Sequence, residues 1–136
     1  MPINLKPTKC NICGGDVILT SNSVIYGREF GNGKIYYCTS CEAYVGTHKY
    51  RDDEAMGILA NKETRELRLH CHKIFDEMWT TKKERSNLYK KLADKLKINL
   101  EDCHFGYMDY NMLNEAWFIL MEWRLNQKIP RKKGKK

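Results

Sequence analysis

The chain has 136 residues, a length that suits one domain or a small domain with a second module beside it. Its net charge is +7, but the last six positions carry five basic residues, so residues 1–130 carry only +2. A body this close to neutral argues against a folded surface that is basic throughout. The sequence has no apolar run of transmembrane length and no signal-peptide segment, which predicts a cytoplasmic protein with no membrane partner.

The most specific motif lies near the start of the chain and consists of two Cys-x-x-Cys pairs, Cys10 with Cys13 and Cys38 with Cys41. Two cysteines at this spacing can both reach one metal ion, and two such turns complete a tetrahedral four-cysteine site for Zn²⁺. A redox Cys-x-x-Cys normally occurs once and within a βαβ pattern, which is absent here. Disulfides would need a secreted chain. We therefore predict one structural Zn²⁺ held by all four thiolates.

Short β-type runs surround the two cysteine pairs. The runs begin at Val17, Val24, Ile35 and Tyr44, and turns rich in Gly, Asn and Ser separate them. A knuckle, a hairpin, a second knuckle and a strand in this order are the layout of a zinc ribbon, which we assign to residues 1–50. A ribbon of about forty residues buries little apolar surface, so the metal must supply much of its stability.

The rest of the chain predicts three helices, which we group in a helical unit of residues 51–128. Cap residues and apolar periodicity predict helices over 62–79, about 81–97 and 110–126. Their predicted N-caps are Asn61, Thr81 and Asp109. Residues 129–136 are predicted to be a basic disordered tail. The fold class is therefore α+β, an N-terminal zinc ribbon with four cysteine ligands packed on a C-terminal three-helix unit.

The last helix and Cys71 each have more than one interpretation. The last helix is apolar nearly all round, which is typical of a central core helix or of one partly covered by another chain. We favour the core, although Phe118 interrupts the helix's polar stripe. On the first helix, Cys71 falls on the apolar stripe and is predicted to be a small buried hydrophobe rather than a ligand.

Around the second cysteine pair the sequence resembles a known family. Residues 37–48, YCTSCEAYVGTH, are similar to the second knuckle of the zinc-finger-containing domain family of phages and bacteria. The resemblance covers most of residues 10–120, and the similar positions include 59–60, 71–72, 75–76, 79 and 104–106. The chain departs from the family pattern at 55–57 and at Cys71, and neither departure touches the predicted ligands. The resemblance implies a bound zinc and suggests a phage or prophage source, but it implies no reaction.

Four polar residues are candidates for a second site: His48, His72, Asp76 and His104. His72 and Asp76 are four residues apart on one helix face, so Asp76 could orient His72 in a second metal or acid–base site. The alternative, which we favour, is a hydrogen-bond network that clamps the ribbon to the helices. No recognised catalytic motif accompanies these residues, which favours a protein that is not an enzyme.

Two further features favour nucleic-acid binding, besides the frequent use of zinc ribbons in transcription and replication proteins. The tail is basic, and the ribbon carries aromatic and basic residues together, which suits single strands because bases stack and phosphates pair. The candidate contacts are Arg28, Phe30, Lys34, Tyr36, Lys49, Tyr50, Arg51, Arg131, Lys132 and Lys133. Strand alternation predicts that Tyr26 or Tyr37 faces the core, which leaves Phe30, Tyr36 and Tyr50 as the surface aromatics.

The sequence thus predicts a non-catalytic, phage-derived zinc-ribbon protein that binds nucleic acid, preferably single-stranded. A first alternative is a phage protein-interaction factor that binds or inhibits a host enzyme, which the near-neutral body favours. A second alternative is a metal-dependent enzyme that uses the histidine cluster.

Overall fold

The structure is a computed structural model that describes residues 3–31 and 33–126. The described residues form two compact units, an N-terminal unit of residues 3–62 and a helical unit of residues 63–126. The predicted tail of residues 129–136 lies outside the described residues. The sequence placed the boundary at residue 50, whereas the contacts place it at 62.

The segment after residue 50 belongs to the N-terminal unit because its backbone pairs with the sheet and with the chain before it. The N–H of Ala55 donates to the Leu5 carbonyl at 2.7 Å, and the N–H of Met56 donates to the Gly46 carbonyl at 3.0 Å. A later bridge pairs Tyr44 with Ala60. These are long-range pairings, which no local pattern in the sequence announces.

The N-terminal unit is built on a three-stranded antiparallel sheet in the order β1-β2-β3. The strands are β1 (Val17–Ser21), β2 (Lys34–Cys38) and β3 (Tyr44–Gly46). Val17 pairs with Cys38, so the start of β1 lies beside the second cysteine pair. A small core lies against the sheet and comprises Cys10, Val17, Tyr36, Cys38, Ala43, Val45, Ala55 and Leu59. This arrangement confirms the predicted α+β class and the clustering of the four cysteines at a zinc site.

The predicted strand at Val24 is wrong, because Ser23–Tyr26 forms a single helical turn, α1. The buried Asn22 explains the change. Its side-chain amide donates to the Phe30 carbonyl at 2.8 Å, and its carbonyl oxygen accepts the Phe30 N–H at 3.1 Å. These bonds close the connection between β1 and β2 into a compact loop, and a side chain that satisfies both backbone groups competes with strand pairing.

The helical unit has three long helices, as predicted: α2 (Lys62–Asp76), α3 (Lys82–Leu96) and α4 (Tyr110–Asn126). The capping box is present, with Thr81 accepting from the Glu84 N–H and Glu84 accepting from the Thr81 N–H. The Asp109 carboxylate caps α4 through the Met112 N–H at 2.9 Å. Helix α2 ends three residues earlier than expected, because the chain tightens there into a turn from Phe75 to Met78. Two short 3₁₀ turns connect α3 to α4.

The helices enclose a separate apolar core. Its fully buried large side chains include Phe75, Leu92, Phe105, Met108, Leu113 and Leu120. Helix α4 contributes a buried stripe of Leu113, Ala116, Leu120 and Trp123, so it belongs to the core, while Phe118 on its other side is 60% exposed. Among the residues described, no helix is long and apolar enough to cross a membrane.

Candidate metal centre

The first knuckle is a tight turn that aims backbone donors at two sulfurs. The N–H of Ile12 lies 3.3 Å from Cys10 Sγ, and the N–H of Gly15 lies 3.3 Å from Cys13 Sγ. The turn closes when the Cys10 N–H donates to the Gly15 carbonyl at 2.8 Å. Gly14 has a φ of +78°, a conformation that glycine adopts without a steric penalty. Donors placed in this way stabilise the negative charge on the sulfurs.

The second knuckle repeats this turn with different residues. The N–H groups of Ser40 and Cys41 both lie 3.4 Å from Cys38 Sγ, and the Cys38 N–H donates to the Ala43 carbonyl at 2.9 Å. The left-handed position is occupied here by Glu42, at a φ of +67°. Burial alone would raise the pKa of Cys38, but the N–H groups and neighbouring thiols outweigh it and lower the pKa to about 6. Cys38 therefore favours the thiolate, the form that binds zinc.

The two knuckles bring four sulfurs together in the geometry of one ion. Cys10 Sγ lies 3.7 Å from Cys41 Sγ, and Cys13 Sγ lies 3.5 Å from Cys38 Sγ. All four sulfurs lie within 4.8 Å of one another. Zn–S bonds of about 2.3 Å in a regular tetrahedron separate sulfurs by about 3.8 Å. The cluster therefore fits one structural Zn²⁺, with no ligand position left open for a substrate.

This geometry agrees with comparison against known families. The model of a family described as a zinc-finger-containing domain matches residues 6–123. The chain belongs to this zinc-finger-containing domain family. The match spans the N-terminal unit and nearly all of the described helical unit, so the family is defined by the whole two-unit chain and not by the ribbon alone. No curated protein and no solved structure matches the chain.

Gly15 has a packing role in this zinc-finger-containing domain that sequence reasoning missed. A Cβ at Gly15 would lie 2.6 Å from Ser40 Oγ, 2.7 Å from Ser40 Cβ and 3.2 Å from Cys13 Sγ. Only glycine lets the first knuckle approach the second this closely. The sequence shows a Gly-Gly pair after Cys13 but does not show that the second glycine touches the other knuckle.

Asn11 is a second residue that sequence reasoning missed. It occupies a variable position of the first Cys-x-x-Cys, yet its side chain clamps the knuckle to a distant segment. Its amide nitrogen donates to the Leu59 carbonyl at 3.0 Å, and its amide oxygen accepts the Leu59 N–H at 3.0 Å. The knuckle is thus tied to a buried core residue 48 positions away in the chain.

The two remaining cysteines are buried and lie outside the metal centre. Cys71 is fully buried, as predicted, and its thiol lies 3.4 Å from the Leu113 carbonyl oxygen. Burial raises the pKa of Cys71 to about 12 and the pKa of Cys103 to about 11. Both thiols stay protonated at neutral pH, so they are inert as nucleophiles and as ligands.

The predicted polar cluster is divided between the two units. His48 lies in the N-terminal unit, where its backbone N–H donates to the Glu54 carbonyl. In the helical unit, the Asp76 carboxylate accepts the Trp79 indole N–H at 3.0 Å, and the His72 ring packs against Phe105 at 4.7 Å.

In the described part of the helical unit, the other three members of the predicted cluster are not gathered around one point. Burial lowers the pKa of His72, with Asp76 opposing the shift. The described residues of this unit do not bring His72, Asp76 and His104 close enough to share a metal ion.

The ribbon aromatics separate into core and surface residues, and one of them is placed wrongly by strand alternation. Tyr36 is a core residue, only 5% exposed, and its hydroxyl donates to the Asp53 carbonyl. The error arises because the 51–62 segment covers this face of β2. Phe30 and Tyr50 are exposed as predicted, and Tyr26 is exposed as well.

Several predicted phosphate contacts are already paired with carboxylates. Lys34 Nζ lies 3.4 Å from Asp52, and Arg51 Nε lies 2.7 Å from Glu54. The other two predicted cations of the ribbon lie over aromatic rings. The Arg28 guanidinium is 4.8 Å from the Phe30 ring centroid, and Lys49 Nζ is 5.4 Å from the Tyr50 ring centroid. The predicted contacts at Arg131, Lys132 and Lys133 lie outside the described residues.

Proposed function

We propose that the N-terminal unit binds single-stranded nucleic acid in an open groove beside its sheet. The groove has a volume of about 560 Å³ and lies between the loop after α1 and strands β2 and β3. Its lining includes Tyr26, Phe30, Lys34, Tyr44 and Thr47. The observation that carries the proposal is the pair of exposed aromatic rings, Tyr26 and Phe30, at one groove.

The two aromatic rings are arranged for stacking. Tyr26 is 51% exposed and Phe30 is 45% exposed, and their centroids lie 5.4 Å apart in an edge-to-face pair. Each ring is about half exposed at the groove, and a base stacked on such a ring contributes about 1–3 kcal/mol to binding. Arg28 above the Phe30 ring adds a cation beside the position that a phosphate would take.

Stacking dominates over ionic contacts in this proposal. Carboxylates neutralise Lys34 and Arg51, and four thiolates around Zn²⁺ leave a formal charge of −2 on the metal centre. The groove therefore contributes little counterion release on binding. The groove's contribution to the affinity for nucleic acid therefore depends weakly on salt concentration. Basic residues elsewhere in the chain account for the salt dependence of binding.

The test is a salt titration of binding to fluorescent single-stranded and duplex oligonucleotides. Phe30→Ala should weaken single-strand binding by about 1–3 kcal/mol without changing the slope of log affinity against log salt, because stacking is not ionic. Val24→Ala is a matched control, since Val24 is 52% exposed and does not line the groove. If the chain binds oligonucleotides no better than a free peptide of residues 127–136, the proposal is wrong.

A second candidate function, docking on a host protein, is favoured by one observation. Helix α4 exposes Phe118 at 60% and Leu125 at 69%, seven residues apart on one side of the helix. Apolar side chains aligned in this way are typical of protein contacts. Under this function, host proteins that co-purify after nuclease treatment are lost with Phe118→Ser. For either function we propose a non-catalytic protein of phage origin, and the experiment that separates the two is the oligonucleotide titration.

A further inference from the structure

The charge of the helical unit is concentrated on one helix. Over residues 63–126 the sequence has eleven basic and eleven acidic side chains, so this stretch is neutral as a whole. Residues 82–97, which form α3 and its C-cap, carry seven basic side chains and only the acidic Glu84 and Asp94. The excess of positive charge therefore lies on α3, and the excess of negative charge lies on the rest of the unit.

The lysines of this helix are exposed and have no carboxylate partner in the described structure. We define the α3 basic face as Lys82, Lys83, Lys90, Lys91, Lys95 and Lys97, all of which are exposed. In the helical unit Arg124 pairs with Glu77 at 3.0 Å, and among the described residues no ion pair involves a lysine of this face. These lysines lack a carboxylate partner although the unit holds as many acidic groups as basic ones.

Local energetics disfavour lysine at several of these positions. Lys82 and Lys83 lie in the first turn of α3, where the helix dipole is positive and repels cations. Lys97 is the C-cap at a φ of +60°, a conformation that costs a residue with a side chain about 1–2 kcal/mol. Lys91 and Lys95 are like charges four residues apart, which destabilises a helix. Helix stability therefore does not account for Lys82 and Lys83. It does favour Lys95 in the last turn, and Lys91 Nζ lies 4.9 Å from the Trp123 ring centroid.

The face has the form expected for a linear polyanion. Lys83 and Lys90 are seven residues apart, which places their charges along one side of the helix about 10.5 Å apart, and Lys97 follows at the C-cap. A row of exposed cations along one side of a helix suits the phosphates of a nucleic-acid strand.

A lipid surface is less suitable than a nucleic acid as the ligand of this face. An interfacial membrane helix needs an exposed apolar face beside its lysines. The leucines of α3, Leu88, Leu92 and Leu96, are all buried in the core of the helical unit. The helix therefore offers a nucleic acid its charges but offers a bilayer no apolar surface.

We propose that the α3 basic face is a second nucleic-acid contact, whose lysines pair with the phosphates of a single strand. This proposal rests on the proposed nucleic-acid function but assigns the ionic contacts to a different unit from the groove. It also accounts for the unfavourable placement of Lys82 and Lys83, because bound phosphates offset the charge repulsion that the free protein retains.

The test uses the full-length zinc-bound chain carrying Lys82→Gln, Lys83→Gln and Lys90→Gln together. Three lost phosphate contacts should reduce the salt slope by about 2 and weaken single-strand binding roughly 50-fold at 0.15 M salt. The melting temperature should stay unchanged or rise, because two cations leave the positive end of the helix. A purely structural role for these lysines predicts a lower melting temperature instead.

The control is Lys6→Gln, Lys9→Gln and Lys73→Gln, which changes the net charge by the same amount at positions outside α3. Lys6 and Lys9 are already paired with Asp53 and Asp16, so little counterion release is lost. If the α3 variant binds as the control does, this inference is wrong even when Phe30→Ala weakens binding. If Phe30→Ala has no effect while the α3 variant loses affinity, the groove proposal is wrong and this inference stands. Binding to anionic lipid vesicles without binding to oligonucleotides overturns both.

Discussion

Replacing Gly15 by alanine tests the packing of the two zinc knuckles directly. The added Cβ would lie 2.6 Å from Ser40 Oγ and 2.7 Å from Ser40 Cβ, both shorter than real Cβ contacts. Ser40 belongs to the second knuckle, and its backbone N–H donates to Cys38 Sγ. Ser40 therefore cannot move away from the added Cβ without disturbing a zinc ligand. Overpacking of this kind costs about 1–3 kcal/mol.

This cost should appear as a loss of zinc affinity. Metal binding and folding are coupled in a small unit of this kind, so about 1–3 kcal/mol of strain corresponds to a roughly 5- to 150-fold weaker affinity for zinc. The measurement is a competition titration of zinc against a chromophoric chelator, with the melting temperature followed in parallel. Gly46→Ala is the matched control, because its Cβ would meet only Met56 Sδ at an ordinary 3.9 Å.

A rescue variant makes the argument decisive. Ser40→Gly removes both of the atoms that a Cβ at position 15 would strike, so the double variant Gly15→Ala with Ser40→Gly should recover most of the lost affinity. The coupling in this double-mutant cycle measures the steric term alone, provided that Ser40→Gly is also measured by itself. A Gly15→Ala protein that binds zinc as the wild type does, or a double variant no better than the single one, would refute the reasoning.

Two further predictions concern the separate cores of the two units. Cys38→Ser should abolish zinc binding and unfold the N-terminal unit while the helical signal in far-UV circular dichroism persists, since the helical core is a distinct cluster; loss of the whole helical signal would contradict this. Because burial raises the pKa of Cys71 to about 12 and that of Cys103 to about 11, the unfolded thiols lose their protons above about pH 9 while the folded thiols keep theirs. The unfolding free energy of the helical unit should therefore fall as the pH rises above 9, by up to about 1.4 kcal/mol per pH unit for each thiol. Urea titrations should show a shallower fall for Cys71→Ala, and an unchanged slope would refute the assignment.

Features encoded by residues close together in the chain were predictable from the sequence. The zinc ligands follow from the spacing within each Cys-x-x-Cys pair, and the start of α3 follows from the capping box of Thr81 and Glu84. Asp109 likewise marks the start of α4. A cap or a knuckle closes its own hydrogen bonds within a few residues, so the local sequence contains the whole interaction.

The tertiary structure alone decided the features that depend on distant neighbours. The alternation of residues around Tyr36 allows its side chain to lie on either face of the sheet. The ring is buried because the 51–62 segment folds over it, and the Asp53 carbonyl accepts a hydrogen bond from its hydroxyl. Asn11 and Gly15 likewise act through Leu59 and Ser40, which lie far from them in sequence. Alternation and propensity describe one segment at a time, whereas burial and close approach are properties of two segments in contact, and only the folded chain brings those segments together.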